Sequence, residues 1–230
     1  LLHPGEQLCQ RSGPSRRWRN QYIRPHGFRY VSSAPARLRG RPPRPDRRIE
    51  VLRVAARIFS REGFRQATLA DIAEALDMTR PALYHYAESK HELLGQCGEI
   101  ARDQLDAALA GAKRESTGLD QVRCWFVSYA EITCDDFGRC FVLTGRSEMN
   151  AVEAEHNRSH QLHLGRAVAA MVRRGIRDGS IRPCDPVAVS RALFAIFNGM
   201  ARWYQAPHAK TPREFAIEFL DLFASGLQPR

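Results

Sequence analysis

Three helix-start signals follow one another closely between residues 68 and 90, and their spacing limits this segment to short elements. Thr68 precedes Asp71 by three residues, which is the spacing of a capping box. Thr79 is a good N-cap, and Pro81 falls in the first turn, where its missing N–H costs little. Ser89 opens a longer periodic segment. The segment therefore predicts two short helices joined by a tight turn, followed by a long helix.

The rest of the sequence from Ile49 onward is also helical in its periodicity, with apolar residues repeating at three and four. No alternating strand pattern and no solenoid repeat occurs. The sequence therefore predicts an all-α fold in which a three-helix head precedes a larger helical body. The predicted helices span about 49–63, 68–76, 79–86, 90–112, 119–134, 137–145, 147–178, 186–205 and 212–226.

The excess of positive over negative charge lies entirely in the N-terminal part of the chain. Residues 1–48 contain twelve arginines and two acids, which accounts for the net charge of +10, while residues 49–230 contain 23 basic and 23 acidic residues. The predicted organisation is a disordered basic tail (1–45), a helix-turn-helix head (46–94) and a helical body (95–230). Any DNA binding by the folded part must therefore come from particular residues rather than bulk charge.

The tail contains the segment Arg39-Gly40-Arg41-Pro42, which resembles the core of an AT-hook. Such narrow, extended arms place arginines in the minor groove of A·T-rich DNA. Arg39 and Arg41 are therefore candidates for a minor-groove arm. The alternative is that this stretch is not a genuine part of the protein.

The second short helix has side chains that suit DNA. Thr79 and the N-terminal amides of the helix can meet a phosphate, and Arg80 can donate two hydrogen bonds to guanine. The polar tips of Tyr84, His85 and Tyr86 suit phosphate contacts. In the structural alternative, these aromatic residues pack in the core and the charged residues are solvated.

An ordered set of residues runs through the head: Ala55-Ala56, Phe59, Gly63-Phe64, Thr68, Asp71-Ile72-Ala73, Leu83-Tyr84-His85-Tyr86, Ser89-Lys90 and Leu93-Leu94. With this set, residues 47–94 resemble the N-terminal domain of TetR-family regulators, the tetracycline-repressor-like group. One position departs from the family pattern, since Ala87 stands where members often have Phe.

The resemblance implies a C-terminal helical ligand-binding and dimerisation domain and a homodimer on a near-palindromic operator in double-stranded DNA. By position, it implies backbone contacts from Thr68, Thr79, Tyr84, Tyr86 and Lys90, and base reading by Arg80, Pro81, Ala82 and His85. It also implies a cavity in the body for a small, largely apolar ligand. The cavity candidates are Trp125, Phe126, Tyr129, Phe141, Phe197, Asn198 and Trp203. The alternative for each aromatic residue is a place in the core.

The sequence thus predicts a cytoplasmic, sequence-specific DNA-binding regulator that acts as a ligand-released repressor. We expect no enzymatic activity, cofactor or membrane span, because no catalytic motif, signal peptide or long apolar run occurs. Two alternatives remain: a metal- or thiol-sensing regulator, or a helical enzyme or ligand carrier whose head is only structural. A metal sensor would use His156, His160 and His163, and a thiol sensor would use Cys134 and Cys140.

Overall fold

The computed structural model describes residues 44–205 and 209–225, and this part of the chain is helical, without a strand. A short 3₁₀ turn, Arg146–Glu148, lies between the sixth and seventh α-helices. The predicted all-α fold is confirmed. The described α-helices are α1 (Arg44–Glu62), α2 (Leu69–Ala75), α3 (Arg80–Leu83), α4 (Lys90–Ala112), α5 (Gly118–Cys134), α6 (Asp136–Leu143), α7 (Ala151–Arg177), α8 (Pro186–Trp203) and α9 (Pro212–Ser225).

Side-chain caps determine where most of these helices begin. The side chains of Thr68, Thr79 and Ser89 each accept a hydrogen bond from a backbone N–H of the helix that follows, as the sequence predicts. Asn150 forms a capping box with Glu153, so α7 begins later than the predicted residue 147.

Other helix bounds also differ from the prediction, and one predicted end falls outside the described residues. Helix α3 ends at Leu83 rather than near residue 86, because the N–H of Tyr86 bonds the Leu83 carbonyl at 2.9 Å and closes a turn. Helix α1 begins at Arg44, earlier than the predicted residue 49. The predicted end of the last helix at Gly226 lies outside the described residues, as does the 1–43 part of the tail with Arg39 and Arg41.

The head is built around α1. Its Phe59 ring packs edge-on against the Phe64 ring, with 5.2 Å between the ring centres. Gly63 follows the end of the helix with a φ of 88°, a backbone conformation that would be strained in a residue with a side chain. Ala87, the departure from the family pattern, is buried in this core. The other buried side chains of the head include Val51, Leu52, Ala55, Ile72, Leu76 and Leu83.

Helix α5 is the central element of the body and packs against α4, α6, α7, α8 and α9. Its Trp125 and Phe126 are fully buried, and Phe126 stacks on Phe197 of α8 at 4.8 Å. Burial of each ring stabilises the fold by about 2–3 kcal/mol. At the start of α5 a Cβ on Gly118 would lie 2.0 Å from the backbone nitrogen of Gly175, so α5 and α7 cross in backbone contact.

Helix α4 connects the head to the body without interruption. The predicted boundary between residues 94 and 95 falls inside this helix. Within residues 44–205 and 209–225, none of the helices is long and apolar enough to cross a membrane.

Candidate nucleic-acid interface and ligand cavity

Two local features define the short helices of the head: the capping box that opens α2 and the turn between α2 and α3. The Thr68 hydroxyl accepts the Asp71 N–H at 3.3 Å, and the Asp71 carboxylate accepts the Thr68 N–H at 2.8 Å. These two hydrogen bonds hold the pKa of Asp71 below its usual range. Asp77 then adopts a left-handed conformation with a φ of 51°, which Asp tolerates better than most residues.

The segment from Arg80 to Tyr86, which is α3 and the turn that follows it, has one side in solvent and the other in the core. Leu83 is 1% exposed and Tyr86 is half-buried, whereas Tyr84 is 55% exposed. Thr79, Arg80, Pro81 and His85 are exposed too, and Ala82 is half-buried.

Arg80 stands at the first residue of α3, where a helix docked in DNA meets base edges. Its exposed guanidinium makes no hydrogen bond or salt bridge with the described part of the chain, so its five donors are available to a ligand. Among the predicted contacts, Thr68 also lies exposed at the start of α2.

Lys90 differs from the other predicted contacts. Its ammonium donates hydrogen bonds to the carbonyls of Phe64 at 2.8 Å, Arg65 at 3.1 Å and Ala67 at 3.1 Å. It also lies 4.7 Å from the centre of the Phe64 ring. An ammonium has three N–H donors, and all three are used to hold the loop that leads into α2. The phosphate contact of Lys90 stays a prediction.

The cavity that contains predicted ligand residues has a volume of about 570 Å³ and lies between α5, α6, α7 and α8. Tyr129, Phe141 and Asn198 line it, as predicted. The Tyr129 hydroxyl donates to Oδ1 of Asn198 at 2.6 Å, and burial raises the pKa of this hydroxyl, which keeps its proton. The pair thus brings hydrogen-bonding groups to a part of the wall that also contains Phe141 and Phe194.

The other predicted ligand residues lie elsewhere. Trp125, Phe126 and Phe197 are fully buried in the body core, which is the place that the structural alternative assigns to them. Trp203 is 46% exposed and packs against Phe215 of α9. A larger cleft of about 790 Å³, between α5, α7, α8 and α9, contains none of the predicted ligand residues.

Sequence reasoning missed three arginines beside the cavity. Arg166 and Arg173 of α7 and Arg191 of α8 line it and are exposed. A signal was available, because Arg166 and Arg173 are seven residues apart and therefore share a helix face. The small apolar residues Gly165 and Ala169 lie beside them in the lining.

The sequence also did not predict a set of ion pairs between α1 and the start of α6. The Asp136 carboxylate accepts from Arg53 at 3.2 Å and from Arg57 at 2.9 Å, and Arg53 also pairs with Asp135 at 3.5 Å. The Arg53 guanidinium lies 5.2 Å from the centre of the Phe137 ring. Their sequence separation of about eighty residues hid these contacts.

The groups behind the metal and thiol alternatives do not form a shared site in the described residues. His160 bonds Asp106 at 3.0 Å, and no group of three or more metal-ligating side chains occurs in residues 44–205 and 209–225. Burial raises the pKa of the Cys134 and Cys140 thiols to about 11 each. Thiols protonated at neutral pH are poor nucleophiles, so this environment does not favour redox sensing.

The last two described helices carry several apolar side chains that are 39–50% exposed. Ile196 and Trp203 are seven residues apart and therefore share one face of α8, whereas Val187 of the same helix lines the cavity. On α9 the exposed apolar side chains are Ile217, Leu222 and Phe223. Exposed apolar side chains that cluster are typical of a protein–protein interface.

Comparison with known proteins gives two family matches. Residues 51–97 match the model of bacterial regulatory proteins of the tetR family, and residues 115–227 match the tetracyclin repressor-like C-terminal domain. The HTH-type transcriptional repressor KstR2 of Rhodococcus jostii (strain RHA1) is 28% identical over 192 residues, which cover 79% of this chain and 91% of that protein.

Solved structures share the fold. PfmR from Thermus thermophilus, a TetR-family transcriptional regulator, superimposes with a TM-score of 0.71 at 26% identity, over 78% of this chain and 99% of PfmR. AibR, solved in complex with isovaleryl coenzyme A and operator DNA, gives a TM-score of 0.68 at 16% identity, over 76% of this chain and 97% of AibR.

Proposed function

The chain belongs to the TetR family of DNA-binding transcriptional regulators, and from this premise we propose that it is a homodimeric repressor released by a small, largely apolar ligand. The observation that carries the DNA-binding role is the exposed start of α3. Arg80 is exposed there and makes no hydrogen bond or salt bridge within the described part of the chain, and Tyr84 is 55% exposed.

In the proposed complex, α3 lies in the major groove. Arg80 reads a guanine, Pro81, Ala82 and His85 complete the base-reading side, and Thr79 contacts a phosphate. Thr68, Tyr84 and Tyr86 contact the backbone from the flanks. A minor-groove arm that includes Arg39 and Arg41 stays a prediction, since both residues lie outside the described residues.

Two copies would pair through the apolar surface of α8 and α9. The exposed side chains on these two helices would become buried between the copies, as in a four-helix bundle. A two-fold axis through this interface gives two heads, so the operator would contain two related half-sites.

The 570 Å³ cavity is large enough for a small organic ligand, since such sites usually measure about 300–1,000 Å³. AibR, which shares the fold, was solved with both a small ligand and operator DNA. That complex supports the proposal that this chain responds to a small ligand.

Helix α6 would couple the cavity to the head. Phe141 and Val142 at its end line the cavity, whereas Asp136 at its start pairs with the arginines of α1. A ligand that binds better when α6 is displaced would shift the dimer toward a head spacing that fits the operator poorly. The loss of DNA affinity cannot exceed the ligand's preference for that state.

In vitro selection from a random duplex library tests the proposal. We expect the dimer to enrich a near-palindrome, and native mass spectrometry of the complex to give two protomers per half-site pair or a multiple of two. Enrichment of no sequence, or binding by single protomers to an asymmetric site, would contradict it. Small molecules released from the purified protein by denaturation, and identified by mass spectrometry, should then reduce operator binding when added back.

A further inference from the structure

The cavity between α5, α6, α7 and α8 combines an apolar interior with one sign of charge at its edge. Arg166 and Arg173 come from α7 and Arg191 from α8, so both helices contribute cations. No Asp or Glu side chain occurs among the described residues that line the cavity. The three guanidinium groups make no hydrogen bond or salt bridge to the described part of the chain.

Three cations without an acidic partner at the edge of one cavity give it a positive potential, which favours an anionic ligand. A guanidinium is also well suited to the task, because its planar donors match the oxygens of a carboxylate or a phosphate. Arg123, in the neighbouring larger cleft, shows the contrast, since it is paired with Asp221 at 2.6 Å.

The spacing of the arginines indicates more than one negative charge on the ligand. Arg166 and Arg173 are seven residues apart, which separates them by about 10 Å along the axis of α7. Arg191 lies on the facing helix. A single carboxylate cannot contact cations so far apart, whereas a phosphate-bearing head can extend along them.

We infer that the cavity binds an amphipathic anion, in which an apolar body enters the cavity and a head with several negative charges lies against Arg166, Arg173 and Arg191. The Tyr129–Asn198 pair, inside the cavity, provides hydrogen-bonding groups for a polar atom at the junction of body and head. This inference rests on the proposed ligand-released function for the identity of the cavity, and it replaces the largely apolar ligand of that proposal with one that is apolar only in its body.

Isothermal titration calorimetry on the full-length protein tests this with four probes: decanoyl-coenzyme A, coenzyme A, decanoate and decanol. We expect decanoyl-coenzyme A to bind most tightly, because it satisfies both the apolar wall and the arginines. Replacement of any one arginine with glutamine should weaken its binding about fivefold, and the triple variant about a hundredfold. Decanol binding should not change in any of these variants.

Arg158→Gln is the matched control, because Arg158 is an exposed arginine of α7 outside the cavity lining. It should bind all four probes as the wild type does. Should the triple variant fail to fold, the single variants and the salt dependence of wild-type binding decide the question. Binding of decanoyl-coenzyme A that equals that of decanol, or that is unchanged in the arginine variants, would overturn the inference. Decanoate that binds as tightly as decanoyl-coenzyme A would overturn the requirement for several charges.

Operator binding by the same variants separates this inference from the proposed function. Each variant should bind the selected operator with wild-type affinity, since the three arginines lie on body helices and not on α2 or α3. If decanoyl-coenzyme A binds in an arginine-dependent way and leaves the operator complex intact, the ligand inference is upheld and ligand-released repression is wrong. If ligands that bind without the arginines release the operator, the proposed function is upheld and this inference is wrong.

Discussion

Replacement of Lys90 with methionine removes the ammonium and retains an unbranched side chain of similar length. In the wild type the ammonium donates to three loop carbonyls at 2.8–3.1 Å, of which those of Phe64 and Ala67 are part-buried and that of Arg65 is exposed. Water can replace the donor at the exposed carbonyl, so we count about 1 kcal/mol for each of the two part-buried ones. The contact with the Phe64 ring adds about 0.5–1 kcal/mol. The free energy of unfolding should therefore fall by about 2–3 kcal/mol.

Urea unfolding followed by circular dichroism measures this loss, at one fixed protomer concentration because a dimer is expected. Lys113→Met is the control, since Lys113 is an exposed lysine just beyond the other end of α4. It should unfold as the wild type does. An unchanged unfolding midpoint in Lys90→Met would refute the reasoning from the carbonyl contacts.

The salt dependence of operator binding provides a second result for Lys90. If its ammonium remains on the loop carbonyls in the complex, the slope of log affinity against log salt should be the same in Lys90→Met and wild type. A slope reduced by about one per protomer would show that Lys90 neutralises a phosphate, as its position in the sequence predicts.

Three further predictions concern the coupling, the head and the cavity. Asp136→Asn weakens the ion pairs between α6 and α1, so a ligand that releases the wild type should release this variant less, as anisotropy on the operator would measure; an equal response would exclude this route. The pKa of Asp71 is depressed by its bonds to Thr68, so its stabilisation is present above the ordinary carboxyl pKa and is lost as the pH falls through its folded value. As the pH is lowered below about 4, the unfolding free energy of Asp71→Asn should therefore fall less than that of the wild type in urea unfolding. Parallel curves of unfolding free energy against pH would contradict this. Tyr129→Phe removes the hydroxyl that donates to Asn198 and should lower the unfolding free energy by about 1–3 kcal/mol. A stability equal to that of the wild type would contradict this and would mean that water replaces the lost donor.

Local signals account for the parts of the structure that the sequence predicts. The caps Thr68, Thr79 and Ser89 act within three residues of the helices they open, so their effect is readable in one dimension. Helix α7 begins later than predicted because Asn150 and Glu153 form a capping box that apolar periodicity alone does not reveal. The short α3 ends at Leu83 because the N–H of Tyr86 bonds the Leu83 carbonyl and forms a turn. A single hydrogen bond thus separates the observed end from the predicted one.

The cavity was harder to predict, because its lining depends on how distant helices pack. Phe197 and Asn198 are neighbours in the sequence, yet the first is fully buried in the core and the second faces the cavity. Helix rotation decides between these places, and the sequence did not specify it. The same holds for Lys90, where only the folded loop shows that its donors already have acceptors.

Comparison of wild type and Arg80→Ala on the selected operator tests the central claim, that the exposed start of α3 reads DNA. Fluorescence anisotropy at one salt concentration measures the affinity for the operator and for a scrambled duplex of the same composition. We expect Arg80→Ala to lose about 1–3 kcal/mol on the operator, to lose its preference for one base in each half-site, and to change little on the scrambled duplex. An operator-to-scrambled affinity ratio equal to that of wild type, in a variant that remains folded, would contradict the claim.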